Sequence, residues 1–354
     1  MATRADVARL AGVSTSTVSY ALSGARPISR ATRLRIEAAM RELGYTPNAL
    51  ASGLAGRRTK ILALLFPSGP RSIEGSDLQY VVSAAELARE RGYHLVLWAL
   101  GDNELRDVGR FSGSGLVDGV LLMEVRLDDA RVRFLQASRI PLAMIGRTAD
   151  PGDLAFADAD LEQITRLAVG HLTALGHRSL ALLSASQRLV DVGNGPSVRL
   201  PVGAARAADD AGARLVVLDC ENTVAAGRRA LPALLERLPE LTAVISSNWE
   251  ATVGLMQGAA DLGRRIPADL SVLSITDSQD RAEITTPALT TISPPAVEIA
   301  RAATAALIDQ LEGRREPSAA GMLFPGTLVE RASTGPAPRR SSHGERPGRS
   351  AEGP

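Results

Sequence analysis

Apolar side chains along this chain recur in two rhythms, and the change falls near residue 60. Before it they return at helical spacing: through "RADVARLA", then at Val18, Ala21 and Leu22, then at Leu34, Ile36, Ala39, Met40 and Leu43. Such spacing gathers each set on one face of a helix. Thr3 with Asp6 has the form of a capping box, Ser14 and Ser29 are candidate N-caps, and Gly12 and Gly44 close the first and third helices. Three short helices with a tight turn after the first predict a helix-turn-helix unit. The next stretch, "YTPNALASGLAGRRTK", is only weakly helical, because Gly53 and Gly56 each cost about 1 kcal/mol relative to alanine inside a helix. A segment this marginal suits folding against a partner.

From Lys60 onward, short apolar runs alternate with amphipathic stretches. "ILALLFP", "YHLVLWAL", "DGVLLME", "PLAMIGR", "SLALLSA", "RLVVLD", "AVISS" and "LSVLSIT" read as buried strands. Between them "QYVVSAAELARERG", "LEQITRLAVGHLTALGH", "VGAARAADDAG", "AAGRRALPALLERLP" and "TVGLMQGAADLG" read as helices. That cadence predicts parallel sheets covered on both faces, with room for two of them and ligand sites beyond the strands' carboxyl ends. After "TLVERAST" the composition turns to Pro, Gly, Ser and Arg, and that tail is expected to be disordered.

Charge sharpens the division. The 354 residues carry a net charge of only +1. The first sixty hold ten Lys or Arg against Asp6, Glu37 and Glu42, a surplus of seven, so the remainder is acidic by six. A basic head on an acidic body is the footprint of a polyanion bound at one end. With 45% hydrophobic residues, buried cores are affordable, and a single cysteine, Cys220, excludes an intramolecular disulfide framework. The start "MATRADVARL" lacks the apolar run of a secretion signal, so a cytoplasmic, nucleoid-associated protein is expected, with no membrane partner.

Inside the head, "VSTSTVSYALSG" crowds hydroxyls onto one short helix. Small hydroxyl residues are mediocre helix formers, and a merely solvated helix would favour Glu, Lys or Arg. Catalytic signatures are missing: no Walker loop, no His-Glu-x-x-His, no dinucleotide fingerprint after a strand. His171 and His177, six apart in "HLTALGH", do not share a helix face as zinc ligands would, and read as packing and strand-entry residues. Neither enzyme activity nor a metal or other cofactor is expected.

These phrases together resemble the bacterial transcription regulators of the lactose-repressor and galactose-repressor type (LacI/GalR). The resemblance is nearly continuous through "ADVARLAGVSTSTVSYALSG" and "PISRATRLRIEAAMRELGYTPNALASGLA". It is looser in "VDGVLL", "HLTALGHRSLALL", "IPADLSVLSITD", "PALTTISPP" and "LVERAST". It implies an all-α helix-turn-helix head joined to a two-lobed α/β core like that of periplasmic binding proteins, with parallel sheets flanked by helices. The expected domains are a DNA-binding head over 1–46 and a hinge over 47–59. A first core lobe takes 60–159 and 290–319, a second 160–289 and 320–332, and a disordered tail 333–354. The implied assembly is a homodimer, with a tetramer also open, gripping a palindromic double-stranded operator.

By the same resemblance, Thr15, Ser16 and Tyr20 sit where side chains read bases in the major groove, Thr15 presenting a methyl to thymine. Ser14, Thr17 and Ser19 suit capping and phosphates, Arg4, Arg26, Arg30 and Arg33 suit the DNA backbone, and Asn48 is a further DNA-binding residue. Leu54 holds the place of a leucine that wedges into the minor groove, with hinge-to-hinge packing as the alternative. In the core, Arg147, Asp160 and Asp277 stand near the effector cleft, each either a ligand contact or a cap. Two departures stand out. Trp249 replaces the aspartate of the family phrase in "NWEATVG", and Leu200 replaces an arginine before "PVGAA", with Arg199 one step away. A cleft that loses two polar anchors and gains an indole should bind polyols poorly. The expectation is an effector less polar than a simple sugar, or a regulator freed of effector control. A transport-type binding protein and a sequence-indifferent nucleoid binder are the rival classes.

Overall fold

The computed structural model describes residues 2–23, 26–45, 58–67, 76–100, 104–112, 115–275, 279–314 and 321–338. The chain forms two compact units, Met1–Ile61 with Gly109–Asp118 and Leu62–Val108 with Gly119–Pro354.

The first unit opens with three helices, α1 (Arg4–Ala11), α2 (Thr15–Ser23) and α3 (Arg30–Glu42). Their ends are set by local chemistry. The Asp6 carboxylate accepts from the Thr3 N–H at 3.0 Å while the Thr3 hydroxyl accepts from the Asp6 N–H, closing the capping box. Gly12 ends α1 in the left-handed region at φ +64°, where a side chain would be strained. Ser14 and Ser29 accept the N–H groups of Thr17 and Thr32, each at 3.1 Å. Val7, Ala8, Ala11, Val18, Ile36 and Ala39 are buried together as a small core.

The second unit holds two six-stranded sheets. The first is built from β1 (Ile61–Pro67), β2 (His94–Leu100), β3 (Gly119–Leu122), β4 (Leu142–Ile145), β5 (Ala155–Ala159) and β11 (Gly321–Phe324), in the order β11-β5-β4-β3-β1-β2. The second contains β6 (Ser179–Ser184), β7 (Arg214–Asp219), β8 (Ala243–Ser246), β9 (Ser271–Ile275), β10 (Thr290–Ser293) and β12 (Thr327–Val329), in the order β12-β10-β9-β8-β6-β7. The second sheet is parallel apart from its antiparallel β10–β12 edge, and in the first sheet β1–β3, β3–β4, β4–β5 and β5–β11 pair in parallel. Helix α4 (Ser76–Glu90) leads into β2, and α5 (Glu104–Ser112) and α6 (Ala130–Ala137) flank β3 in sequence. The second sheet carries α7 (Leu161–Ala174), α8 (Gln187–Asp191), α9 (Gly195–Asp210), α10 (Val224–Arg237), α11 (Trp249–Asp261) and α12 (Gln279–Glu283). Helix α13 (Ala296–Leu311) crosses back to pack on α4 and on strands β3, β4 and β5.

Two expected boundaries need correction. β10 falls within the stretch expected in the first lobe, yet it pairs with β9 of the second, Thr290 opposite Leu273. Conversely β11, expected in the second lobe, pairs with β5 of the first, Gly321 opposite Phe156. The chain changes lobe at Pro294–Pro295, after β10 rather than before it, because prolines cannot continue a strand's hydrogen-bond ladder. The stretch expected as a disordered tail from residue 333 opens instead with packed chain. Ser333 is fully buried, donating to the Val272 carbonyl at 2.6 Å and accepting the Thr290 N–H at 2.8 Å. The packed chain runs on through Ala337, whose N–H reaches the Leu175 carbonyl.

His177, at the entry to β6, holds this terminal segment. Its ring nitrogens meet the Thr242 hydroxyl at 2.9 Å, and the Ser271 hydroxyl and Gly335 carbonyl at 3.0 Å each. Burial pushes its pKa below the ordinary 6.5, so the ring is neutral in the fold. Below that ordinary value the unfolded chain binds the proton more readily than the folded one. Stability therefore falls as pH drops from about 6.5 toward the depressed folded value, and does not change on this account above it. Urea midpoints of wild type and His177→Gln across that range check this: the wild-type decline should be shallower in the variant.

Candidate functional site

In the head, the first turn of α2 is the exposed feature. Ser14, Thr15 and Ser16 are exposed, whereas Val18 on the same helix is fully buried. The start of α2, with the side chains of Thr15 and Ser16, thus faces solvent, a surface suited to phosphates and base edges. Arg26, Arg30 and Arg33 are exposed, and the Arg26 guanidinium lies 5.6 Å from the centre of the half-buried Tyr20 ring. Arg4 and Ser19 are engaged within the head instead: Arg4 donates to the Ser19 hydroxyl at 3.1 Å, tying α1 to α2. Thr17 is bonded to Ser14. Asn48 and Leu54 lie outside the described residues.

The chain leaving the head region is fastened where it meets β1. The Asp118 carboxylate accepts the Thr59 N–H at 2.6 Å, the Thr59 hydroxyl at 2.9 Å and the Lys60 N–H at 2.9 Å. Lys60 itself has φ +59°, so this clamp holds a backbone conformation that a side chain disfavours.

Between the sheets of the second unit lies a cavity of about 530 Å³, in the range of small-molecule sites. It is lined from the carboxyl ends of strands in both sheets: Met123 and Glu124 after β3, Asp158 on β5, Ala185 after β6, Asn248 after β8, Ser293 on β10. Glu124 has φ +51°, a position that costs about 1–3 kcal/mol and is held only by its surroundings. Arg131, fully buried, supplies the hold. It donates to the Glu124 carbonyl at 3.0 Å and to both oxygens of Asp129, at 3.0 and 2.7 Å. Burial raises the Asp129 carboxyl, but the Arg131 guanidinium and the backbone N–H groups of Arg126 and Arg131 together outweigh it and keep the group below its ordinary pKa. The lobes are joined beside Glu124: Leu127 N–H to Gly193 carbonyl at 2.7 Å, Gly195 N–H to Val125 carbonyl at 3.0 Å, and Asn194 Nδ2 to Glu124 Oε2 at 2.7 Å.

The residues singled out in the sequence divide around this cavity. Arg147 donates to Asp158 at 3.0 Å, and Arg199 donates to the carbonyls of Arg147 and Thr148 at 3.1 and 2.8 Å. Both arginines therefore support the wall, and Asp158 is the member that lines it. Burial pushes the Asp158 carboxyl above its ordinary pKa even with Arg147 and Arg199 opposing. Asp160 caps α7, accepting the Gln163 N–H at 2.9 Å. Leu200 lines the cavity. Trp249 does not, which corrects the expectation of an indole in the cleft. As the first residue of α11 it packs on the second lobe's core, with the Arg281 guanidinium 5.6 Å from its ring, while its neighbour Asn248 faces the cavity. Asp277 lies outside the described residues. Glu124 and Asp158 were not anticipated, although each is an acid at the end of an apolar run, in "DGVLLME" and "AFADA".

Residues 3–48 match the bacterial regulatory proteins of the lacI family, and residues 169–334 match a periplasmic binding protein-like domain. The repressor PurR of Erwinia tasmaniensis is 31% identical over 96% of this chain and 99% of its own. The chain belongs to the LacI family. The LacI-type regulator AglR of Rhizobium meliloti is 31% identical, covering 95% of each chain. Among solved LacI-family structures, a lac repressor dimer bound to operator and the anti-inducer ONPF superposes with a TM-score of 0.80 at 25% identity, covering 94% of this chain and 99% of that one. A CelR–cellobiose complex superposes at 0.70 with 27% identity, covering 94% of this chain and all of that one. As a LacI-family member the chain is a helix-turn-helix transcription regulator with an effector-binding core, and not an enzyme. No helix among the described residues is long and apolar enough to cross a membrane.

Proposed function

We propose that the protein represses transcription from the cytoplasm by binding a two-fold symmetric operator as a homodimer, its affinity set by a small molecule in the 530 Å³ cavity. The observation that carries this reading is the pair Thr15 and Ser16, exposed at the start of a helix anchored to the head's core by the fully buried Val18, in a head rich in outward arginines. The lac repressor dimer seated on its operator and the CelR–cellobiose complex support both halves of it. Dimerisation is supported by Leu78 and Val82 on α4 and by Val96 and Leu97 on the edge strand β2, all exposed large apolar side chains. The indole that motivated a less polar effector lies outside the lining residues, so that expectation loses half its support; Leu200 keeps the other half.

Selection of bound duplexes from a random pool tests the reading. It should recover an inverted repeat bound on the order of 10³-fold or more above random DNA at physiological salt. Binding that rises equally for every duplex as salt is lowered would overturn it in favour of a sequence-indifferent nucleoid protein. Sedimentation of the same material separates dimer from tetramer.

A further inference from the structure

The chain passes between the two lobes from β5 into α7, from β10 into α13 and from β11 to β12. A further junction is non-covalent. The turn between α8 and α9, on the second lobe, lies against the segment after β3 on the first, with Asn194 opposite Arg126 in an antiparallel bridge. Backbone bonds flank the bridge on both sides, Leu127 N–H to the Gly193 carbonyl at 2.7 Å and Gly195 N–H to the Val125 carbonyl at 3.0 Å. Side chains extend it. Asn194 bonds Glu124 through Nδ2, while its Oδ1 accepts the Ser197 N–H at 3.2 Å and the Ser197 hydroxyl at 2.7 Å, so one residue both caps α9 and reaches the other lobe. Arg199, one turn along α9, donates to the Arg147 and Thr148 carbonyls of the first lobe. The Ala149 N–H donates to the Leu127 carbonyl at 2.8 Å, joining the two stretches of the first lobe that receive these bonds.

Gly195 shows how closely the lobes meet. A β-carbon there would lie 2.8 Å from Arg199 Nη1, 3.0 Å from the Val125 carbonyl oxygen and 3.6 Å from that of Arg147. Only glycine leaves the guanidinium and both carbonyls where they are, so the backbone bridge and the Arg199 bonds depend on one another. Glu124, Val125, Asn194, Pro196 and Ser197 also line the cavity. A small molecule bound there touches the residues that join the lobes.

Resting on the reading of the protein as an operator-binding regulator with an effector cavity, we propose that residues 193–199 and their partners at 124–127 and 147–148 form a latch between the lobes, made and broken as one unit. Arg199 is its positioning residue, and the state of the latch sets operator affinity. A ligand acts at a distance only by shifting an equilibrium between arrangements that it distinguishes, and this junction supplies such an element at the wall of the cavity.

Hydrogen exchange of the full-length protein read by mass spectrometry, with operator titration beside it, tests the proposal. Arg199→Met removes the donors and keeps the apolar stem; Gly195→Ala drives a methyl group between Arg199 and the Val125 carbonyl. In either variant, peptides covering 124–128 and 192–196 should exchange at least about tenfold faster, in step, while β4 and β6 keep their protection. The double variant should add little to either single one, because both break the same unit. Operator affinity should shift by at least about fivefold, the lower end of allosteric coupling: a fall makes the latched form the DNA-binding one, a rise makes it the released one. Arg199→Lys, which keeps a donor, should recover part of the shift. Faster exchange confined to 192–196, additive effects of the two substitutions, or an affinity shift smaller than fivefold would each overturn the proposal. Failure of the wild type to prefer any operator refutes the regulatory reading instead, and the exchange pattern alone then decides whether the lobes are latched.

Discussion

Thr15→Glu should lower operator affinity by more than about 100-fold while leaving the head at least as stable as before. The two effects have opposite signs for one reason. Thr15 is the first residue of α2, is exposed, and belongs to a first turn with no acidic residue. A carboxylate there meets the positive end of the helix dipole and stabilises the folded head by about 0.3–1 kcal/mol. On DNA the same charge faces phosphates, and a like-charge contact in an interface costs several kcal/mol, beyond the loss of whatever base edge the threonine touches. Anisotropy titration against the selected operator reads the first effect and thermal unfolding the second. Arg30→Ala provides the contrast: if that exposed side chain neutralises a phosphate in each subunit of the dimer, log affinity against log salt should lose about 1.8 of its slope, about 0.9 per subunit, with sequence preference intact. Binding by Thr15→Glu within a few-fold of wild type would remove the α2 terminus from the interface.

Much of the framework was legible because it is local. The caps at Thr3, Ser14 and Ser29 depend on residues three positions away, and all three form as the sequence predicts. The eight strands marked by apolar runs are present; six are buried nearly throughout, which leaves a continuous signal, whereas β2 and β7, expected to be buried, lie at the sheet edges and are largely exposed or half-buried. What escaped is set by partners distant in sequence. "TTIS", "GMLF" and "TLV" are three or four residues long, and their sheet is decided by register with β9, β5 and β10. The three- and four-residue spacing of Ala296, Ile299, Ala300, Ala303, Leu307 and Ile308 is plain on α13, but spacing alone does not say which lobe it covers; the resemblance puts it in the first, whose strands β3, β4 and β5 it packs on. Site residues follow the same division. Leu200 could be placed by motif, whereas the placing of Trp249 against the second lobe's core rather than in the cavity lining depends on packing that the local sequence does not declare. The left-handed turn at Glu124 is imposed by a buried Arg131–Asp129 pair whose purpose nothing in the local sequence declares.

The phrase "NWEATVG" ends in a glycine whose reason is steric, and the same substitution at two glycines should reveal it. Gly254→Ala should destabilise the protein, and Gly170→Ala should stabilise it. Both residues lie within helices, α11 and α7, where alanine is preferred over glycine by about 1 kcal/mol. At Gly170 a methyl group would meet nothing within 4 Å, so that preference is realised. At Gly254 it would fall inside the Val224 carbonyl and 2.8 Å from the Arg228 nitrogen, both backbone atoms of α10, which no rotamer change can move. Gly258 one turn later would meet the Arg228 carbonyl at 2.6 Å, and Gly227 on the opposing helix would strike the Ala251 carbonyl, so the two helices touch backbone to backbone along this line. Separating them opens the core around Leu231, Leu234, Ala251 and Leu255, all of it buried. Overpacking of this kind costs roughly 1–3 kcal/mol or more, which exceeds the helical gain. Urea unfolding should therefore move the midpoint down for Gly254→Ala and up for Gly170→Ala. Midpoints that rise together would mean that α10 and α11 are not in backbone contact and that the glycine serves something other than their close approach.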